Sequence, residues 1–485
     1  MMIAWTFISA FAGALLVAVL PERLAHRAKW LALVSSTIGA ALALVACLRF
    51  ASGTGAQVTA VRMDWVPSLG ISLHLGADGI SMLLLLLTGI VAVAGVLFSW
   101  NVAHRPRAFF AFYLCIIGGV YGVFQSFDLF LFFVFYEIVI IPKYFLIALW
   151  GSTDKTYGAM KLTLYSVVAS AFVLVGILAL HVVSGTESFD LFALREAAYP
   201  AEFQLWAFPV LFIGFGVLAG LWPFHTWAPT GHVAAPTAVS MLLAGVVMKL
   251  GAYGALRVAM PILPEGLEFW RPAITVLAAV GIVYGALVAL SRRDLKFVIG
   301  YSSISHMGFV MLGLMTLNRV GLTGAVLQMF SHGLIAGLLF AVVGRMLYDR
   351  ARTRDLDALA AQDLSRRLPF AAVTFVVASA ASMGLPGFSG FIAEISVLLG
   401  AWSAFPWMLP LAVGGILITG VFSLKALQFT FLTRPDAAAD PAQAGAADTG
   451  PLPPISPAEM AGAALLIFWI VLAGLYPQPF VELIH

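Results

Sequence analysis

Charge is what this sequence has least of: Asp, Glu, Lys and Arg make up 10% of its 485 residues, against 62% hydrophobic residues. A water-facing protein keeps roughly a quarter of its residues charged. That shortage excludes a soluble surface for most of the chain and leaves lipid as its solvent, in keeping with a mean hydropathy of +1.01. Cysteine is nearly missing too. Cys47 and Cys115 both sit in apolar stretches, where a thiol packs as a small hydrophobe. There is no CxxC, no cluster of Cys and His, no Walker A loop and no dinucleotide fingerprint. The expectation is therefore no cofactor, nucleotide or metal held by this chain. A net charge of +3 is too small to point to nucleic acid.

What is present is a succession of apolar runs. Crossing a hydrocarbon core takes ~20 apolar residues. The sequence predicts an all-α integral membrane protein of about fourteen transmembrane helices, near 2–20, 30–48, 80–100, 109–127, 129–149, 162–183, 207–224, 235–257, 273–291, 297–316, 322–345, 370–398, 407–426 and 459–476. The connections on one side hold eighteen Lys and Arg, among them Arg23, Arg27, Lys29, Lys155, Lys161, Lys296 and Arg354, against six on the other. By the positive-inside rule the richer side is cytoplasmic, which puts both termini on the outer side of a bacterial inner membrane. The first run has its positive charges behind it and no small-residue cleavage site, so it is expected to stay as a span. Residues 435–457, rich in Ala, Pro, Gly and Asp, read as a flexible cytoplasmic linker.

A charge at the bilayer centre costs ~2.5–3.5 kcal/mol, so an ionisable residue inside a span is a functional candidate by default. Four qualify: Glu137, Lys143, Lys249 and Glu394. Glu137 lies deep in DLFLFFVFYEIVIIPKYFLIALW; its bland reading is a structural pair with a neighbouring helix. Lys249, in AVSMLLAGVVMKLGAYGALR, is too deep to reach the head groups easily. Glu394 follows SMGLPGFSGFIAE, where Pro386 and three glycines must interrupt the helix, and a half-helix end in the membrane needs protein or water against its freed backbone. Lys143 has two open readings: it reaches for the head groups, or it faces Glu137 across the kink at Pro142.

Histidine titrates near neutrality and suits a shuttle, although a lone membrane His often only packs and hydrogen-bonds. His306 (YSSISHMGFVMLG) and His332 (QMFSHGLIAG) are relay candidates, and so is His232, while His225 reads as a hinge residue beside Pro223. The interruptions at Pro223 in the seventh span and Pro386 in the twelfth are five spans apart. Broken helices at matching places in two halves point to an inverted-repeat transporter, and an odd spacing gives the halves opposite topology. The expected division is three N-terminal helices (1–108), two five-helix repeats (109–257 and 273–426), the linker (427–458) and a last helix (459–485).

The strings AGLWPFHTWAPTGHVAAPTAVSMLLAGVVMKLGAYG, RRDLKFVIGYSSISHMGFVMLG, SHGLIAGLLF and FYEIVIIPKYFLIALWG resemble the antiporter-like subunits of respiratory complex I. The likeness runs from the third span to the thirteenth, and GADGISMLLLLLTGIVAVAGVLFSW with the acidic Glu394 is similar to the M-type subunit. The chain ends at His485 without the long arm of the L-type. The resemblance implies a proton-translocating subunit of an NADH-quinone oxidoreductase of the respiratory chain, packed in the membrane beside L-type and N-type subunits. NADH, FMN, iron–sulfur clusters and quinone would belong to partner subunits. It implies that Glu137 is the fifth-helix glutamate, Lys249 the eighth-helix lysine and Glu394 the terminal acid, with His306 and His332 on the central polar axis.

This sequence departs from that pattern in three places: Leu218 stands where the family has a seventh-helix lysine, Thr230 where it often has a carboxylate, and Lys143 where it usually has an apolar residue. Because an unpaired glutamate in low dielectric takes up a proton and loses its charge, we expect Lys143 to replace the missing partner of Glu137. Other assemblies compatible with the same strings are an Mrp-type cation/proton antiporter, a membrane-bound hydrogenase-like complex or an inorganic-carbon accumulating system. A purely structural scaffold is disfavoured by the buried charges.

Overall fold

The structure is a computed structural model that describes residues 2–51, 58–433 and 452–485. It is a bundle of helices: α1 (Ala4–Ala18), α2 (Ala28–Ala51), α3 (Gly79–Phe98), α4 (Pro106–Gln125), α5 (Leu129–Trp150), α6 (Lys155–Ser184), α7 (Ala201–Ala219), α8 (Trp227–Ala234), α9 (Thr237–Ile262), α10 (Pro264–Ser291), α11 (Leu295–Met315), α12 (Arg319–Ala351), α13 (Pro369–Ser382), α14 (Ser389–Ala404), α15 (Pro406–Leu432) and α16 (Pro457–Leu475). Among the described residues twelve helical stretches, α7 and α8 counted as one, are long and apolar enough to cross a membrane; α1, α13 and α14 are shorter apolar helices. The short ones fall where the first and twelfth spans were expected. Most of the 435–457 stretch lies outside the described residues.

Burial sorts the helices. The 18-residue cores of α9, α11 and α12 are 94%, 89% and 100% buried, while those of α2, α6 and α15 are 33–39% buried. A helix hydrophobic all round yet sheathed by others is free to carry polar groups inward. The candidate charges Lys249, His306 and His332 lie on those three central helices.

Both expected interruptions are present. Between α7 and α8 the chain turns at Gly220 (φ +77°), and between α13 and α14 at Gly384 (φ +67°) and Gly387 (φ +96°). That left-handed backbone is cheap only for glycine. Regular α geometry also lapses without breaking the helix, in π-helical turns at Leu243–Val247 and Ala255–Ala259 in α9, Val342–Tyr348 in α12 and Gln428–Leu432 in α15.

One device occurs twice. Asp128 caps α5, accepting from the N–H groups of Phe130 and Leu131 at 3.0 Å each, and its backbone bridges antiparallel to Asp190, which caps a short helix, Leu191–Glu196. Asp294 likewise caps α11 and bridges to Asp355, which caps Leu356–Ala360. Each aspartate is followed by Leu, in FDLF, FDLF, RDLK and RDLD. The two bridges sit at the starts of the fifth and tenth crossings, hence at opposite faces of the bundle.

The helical architecture is as expected, and beside it, among the described residues, an antiparallel hairpin, β1 (Val58–Val66) and β2 (Ile71–Ala77), turns at Gly70 (φ +67°). It is tied to the loops by Phe127 N–H to His74 O and Phe189 N–H to Gly70 O. The sixth crossing starts at Lys155, so Lys155 and Lys161 are helical residues rather than connection. Lys296 and Arg354, counted as loop charges, are 3% and 7% exposed.

Candidate functional site

α9, α12, α11 and α14 bring four of the expected residues into one row. Lys249 is fully buried; its ammonium donates to the Ala244 carbonyl and to His332 Nδ1 at 2.7 Å. The acceptor carbonyl belongs to the π-turn Leu243–Val247, where the i→i+4 ladder is broken and oxygens are freed for other donors. The His332 and His306 rings lie 5.3 Å apart, centre to centre. His306 Nδ1 is 3.3 Å from Glu394 Oε1 and 3.2 Å from Gln328 Nε2, while its Nε2 is 3.3 Å from Ser382 Oγ. The other carboxylate oxygen of Glu394 lies over Gly384, so closely that a side chain there would collide with it. The glycine at the break thus opens the backbone and makes room for the acid.

His232 Nδ1 and Nε2 and His332 Nε2 are buried with no hydrogen-bond partner. Buried polar atoms are seldom left unpaired, and ordered water is the usual remedy. His232 is within electrostatic reach of both Lys249 and Lys296. Lys296 in turn donates to Ala235 O at 2.9 Å, at the start of α9. His225 is also buried with both ring nitrogens unpaired, 5.0 Å from the Tyr284 ring.

Glu137 and Lys143 lie apart from the row. Lys143 is 2% exposed and donates to Ser166 Oγ on α6 at 2.9 Å. Its ammonium is inside the protein, which removes the head-group reading. Glu137 is half-buried, with Oε1 unpartnered, and lines an apolar groove of about 660 Å³ between α5 and α6 beside Phe133, Tyr144 and Thr163. Among the described residues no ion pair joins it to Lys143 or to any other cation. The direct pair expected from sequence is absent in this state.

Sequence reasoning missed a second polar column on α9. One and two turns beyond Lys249, Tyr253 OH lies 2.7 Å from Ser81 Oγ and Arg257 pairs with Asp78 at 2.7 Å. The i, i+4, i+8 spacing was visible, but Arg257 was counted as an outer-loop charge. It also missed the pair of Arg354 with Asp294 at 3.2 Å. At the hairpin end, Asp190 Oδ2 meets His74 Nδ1 at 2.6 Å and Arg62 at 3.7 Å. Burial works to raise the Asp190 carboxyl, but the His74 bond and the N–H groups of Ala193 and Phe192 outweigh it and hold it below its ordinary range. Among the described residues no group of three or more His, Cys, Asp or Glu is placed to hold a metal ion.

Comparison with known proteins gives a consistent relationship. Residues 126–419 match the family model described as NADH:quinone oxidoreductase/Mrp antiporter, TM. A NAD(P)H-quinone oxidoreductase chain 4 of Synechococcus sp. is 41% identical over 426 residues, covering 86% of this chain and 79% of its own. Another chain 4, of Thermosynechococcus vestitus, is 36% identical over 474 residues, covering 96% and 87%. Among solved structures, a chain of respiratory complex I from Thermus thermophilus superposes with a TM-score of 0.87 at 26% identity, covering 99% of this chain and 98% of that one. A chain of the Mrp complex from Dietzia sp. gives 0.85 at 22% identity, covering 99% and 96%, a likeness of fold. The chain belongs to the NADH:quinone oxidoreductase/Mrp antiporter transmembrane family.

Proposed function

We propose that this chain is the M-type proton-translocating subunit of a complex I-type NADH-quinone oxidoreductase, and that Lys249, His332, His306 and Glu394 carry the proton in that order. The single observation behind the reading is the close succession of these four side chains, three of them on the most buried helices, at 2.7 Å, 5.3 Å between rings, and 3.3 Å. Redox chemistry takes place in partner subunits, beside L-type and N-type neighbours in the membrane arm, and this chain supplies the path. Its membrane is a bacterial inner membrane with both termini outside. Residues 109–257 and 273–426 act as inverted repeats, a division supported by the doubled Asp-Leu caps.

A proton enters from the cytoplasmic side near the break between α7 and α8, where Lys296 and His232 lead to Lys249, and leaves towards the outer side from Glu394. Glu137 and Lys143 form the gate. Held apart, with Lys143 on Ser166, they stay within electrostatic reach of each other without a direct ion pair; brought together, they change the field at Lys249. Moving one charge against 100 mV takes ~2.3 kcal/mol. Two unit charges 4 Å apart interact by ~4 kcal/mol at an effective dielectric of 20, so a gate of this kind is strong enough.

The likeness to the Mrp chain favours a second reading, a cation/proton antiporter subunit with no redox partner. Inverted vesicles holding the assembled complex separate the two. Proton uptake that requires NADH and a quinone supports the proposal. Sodium-dependent proton movement without an electron donor supports the alternative.

A further inference from the structure

A cavity lies far from the row, at the bundle end where the α1–α2 and α3–α4 connections meet. It measures about 990 Å³. Its rim carries His26, Lys29 and Arg105, and its one carboxylate, Glu22, is taken by Arg107, which also donates to Leu20 O. Neither Lys29 nor Arg105 meets a carboxylate among the described residues. Lys29 is held in place by the Trp100 ring, 4.9 Å from its centroid, and by Trp100 O at 3.4 Å. Trp30 packs edge-on against Trp100 and is 54% exposed, the usual station of tryptophan at a membrane–water interface. Below the rim the wall is apolar, running along α4 past Phe110 and Phe112.

We propose that this groove binds an anionic phospholipid, with the phosphate at the basic rim and an acyl chain along the α4 wall. Basic pockets between transmembrane helices suit such head groups. Three features converge here: cations that meet no carboxylate among the described residues, an interfacial tryptophan pair fixing the depth, and an apolar floor that a soluble phosphate would not use. The first turn of α4, whose leading N–H groups have no partner within the helix, lines the same cavity at Pro106, Arg107 and Ala108, and a helix start favours anions. A free phosphate ester shares the head-group chemistry, but gains nothing from the floor.

The test is lipid retention by the full-length chain in its assembled complex. The complex is extracted in neutral detergent, exchanged against vesicles of phosphatidylcholine with or without phosphatidylglycerol, and read by native mass spectrometry. Wild type is expected to retain phosphatidylglycerol in preference. The double variant Lys29→Ala, Arg105→Ala should hold it roughly thirtyfold less tightly, two surface-strength basic contacts having been lost. Arg195→Ala, at the opposite end of the bundle, should retain it, and so should the charge-conserving Lys29→Arg, Arg105→Lys. Equal retention of both lipids by wild type would overturn the proposal. So would loss in the charge-conserving variant, which would mark a structural effect. Full displacement of the lipid by glycerol phosphate would assign the rim to soluble phosphate esters instead.

Discussion

Two of the places where this bundle carries charge inside differ in connection. Along α9, α12, α11 and α14, Lys249, His332, His306 and Glu394 approach one another in sequence and share their surroundings with Gln328 and Ser382. Along α5 and α6, Lys143 is committed to Ser166 and Glu137 faces an apolar groove with one oxygen unpartnered. Both hold an acid and a base. Under the proposed function only the first serves as a path, because a proton hops between groups within hydrogen-bonding reach or one water apart. The second is suited to a switch, since two charges with a gap between them can close it. Isolation in low dielectric makes the gap costly and therefore responsive.

The largest expected effect comes from breaking the connected row. Lys249→Met should abolish proton translocation by the assembled complex while the subunit still inserts and assembles; normal pumping would remove the row from the mechanism. Glu394→Gln comes next. It keeps the shape beside Gly384 but removes the ionisable exit, and should cut pumping by a factor of ~10² or more, the range associated with a positioned acid–base group. Quinone-linked pumping at the wild-type rate would refute its role.

The isolated pair should respond more mildly. Lys143→Met should depress pumping well below wild type without abolishing it, and unimpaired pumping would end its role as partner of Glu137. Ser166→Ala leaves the buried ammonium without its acceptor, and should destabilise the protein by about 1.5–3 kcal/mol, the scale of a hydrogen bond to a charged group. Thermal unfolding in detergent reads that change.

The smallest effect lies at the hairpin. The Asp190 carboxyl is held below its ordinary value of 3.8, so its stabilising contribution is fully present above that value and is lost as pH falls through the lowered one. Hydrogen exchange in β2 and in Leu191–Glu196 should therefore quicken only below about pH 4. In His74→Ala the folded value rises back towards the ordinary one, so this acid-induced quickening should shrink. Undiminished quickening in the variant would show that His74 does not hold the carboxyl down.

Much of the connected row was legible in one dimension. Lys249 and Glu394 stand out because nothing in their apolar runs excuses a charge, and the breaks announce themselves through proline and glycine. Lys296 and Arg354 were not legible, because each lies close to residues that are truly at the surface, and Arg257 because it falls at the very end of its expected span. Lys296 follows Arg292 and Arg293, and only the cap at Asp294 and the bridge to Asp355 turn it inward. The π-turns leave no trace in composition, since an i→i+5 bond asks for no particular side chain. The resting place of Lys143 depends on Ser166, twenty-three residues away on another helix, and spacing along α5 could not supply it. The Asp-Leu repeat was on view in the sequence all along, and its meaning became plain only when the two bridges were seen at opposite faces.

The central claim is that the row conducts through water where its side chains do not touch. An experimental map of the assembled complex, fine enough to show ordered solvent, addresses the widest interval, between the His332 and His306 rings. The account predicts a water within hydrogen-bonding distance of the unpaired His332 Nε2 that continues to His306. Dry apolar packing across that interval, with no solvent on either ring, would contradict it.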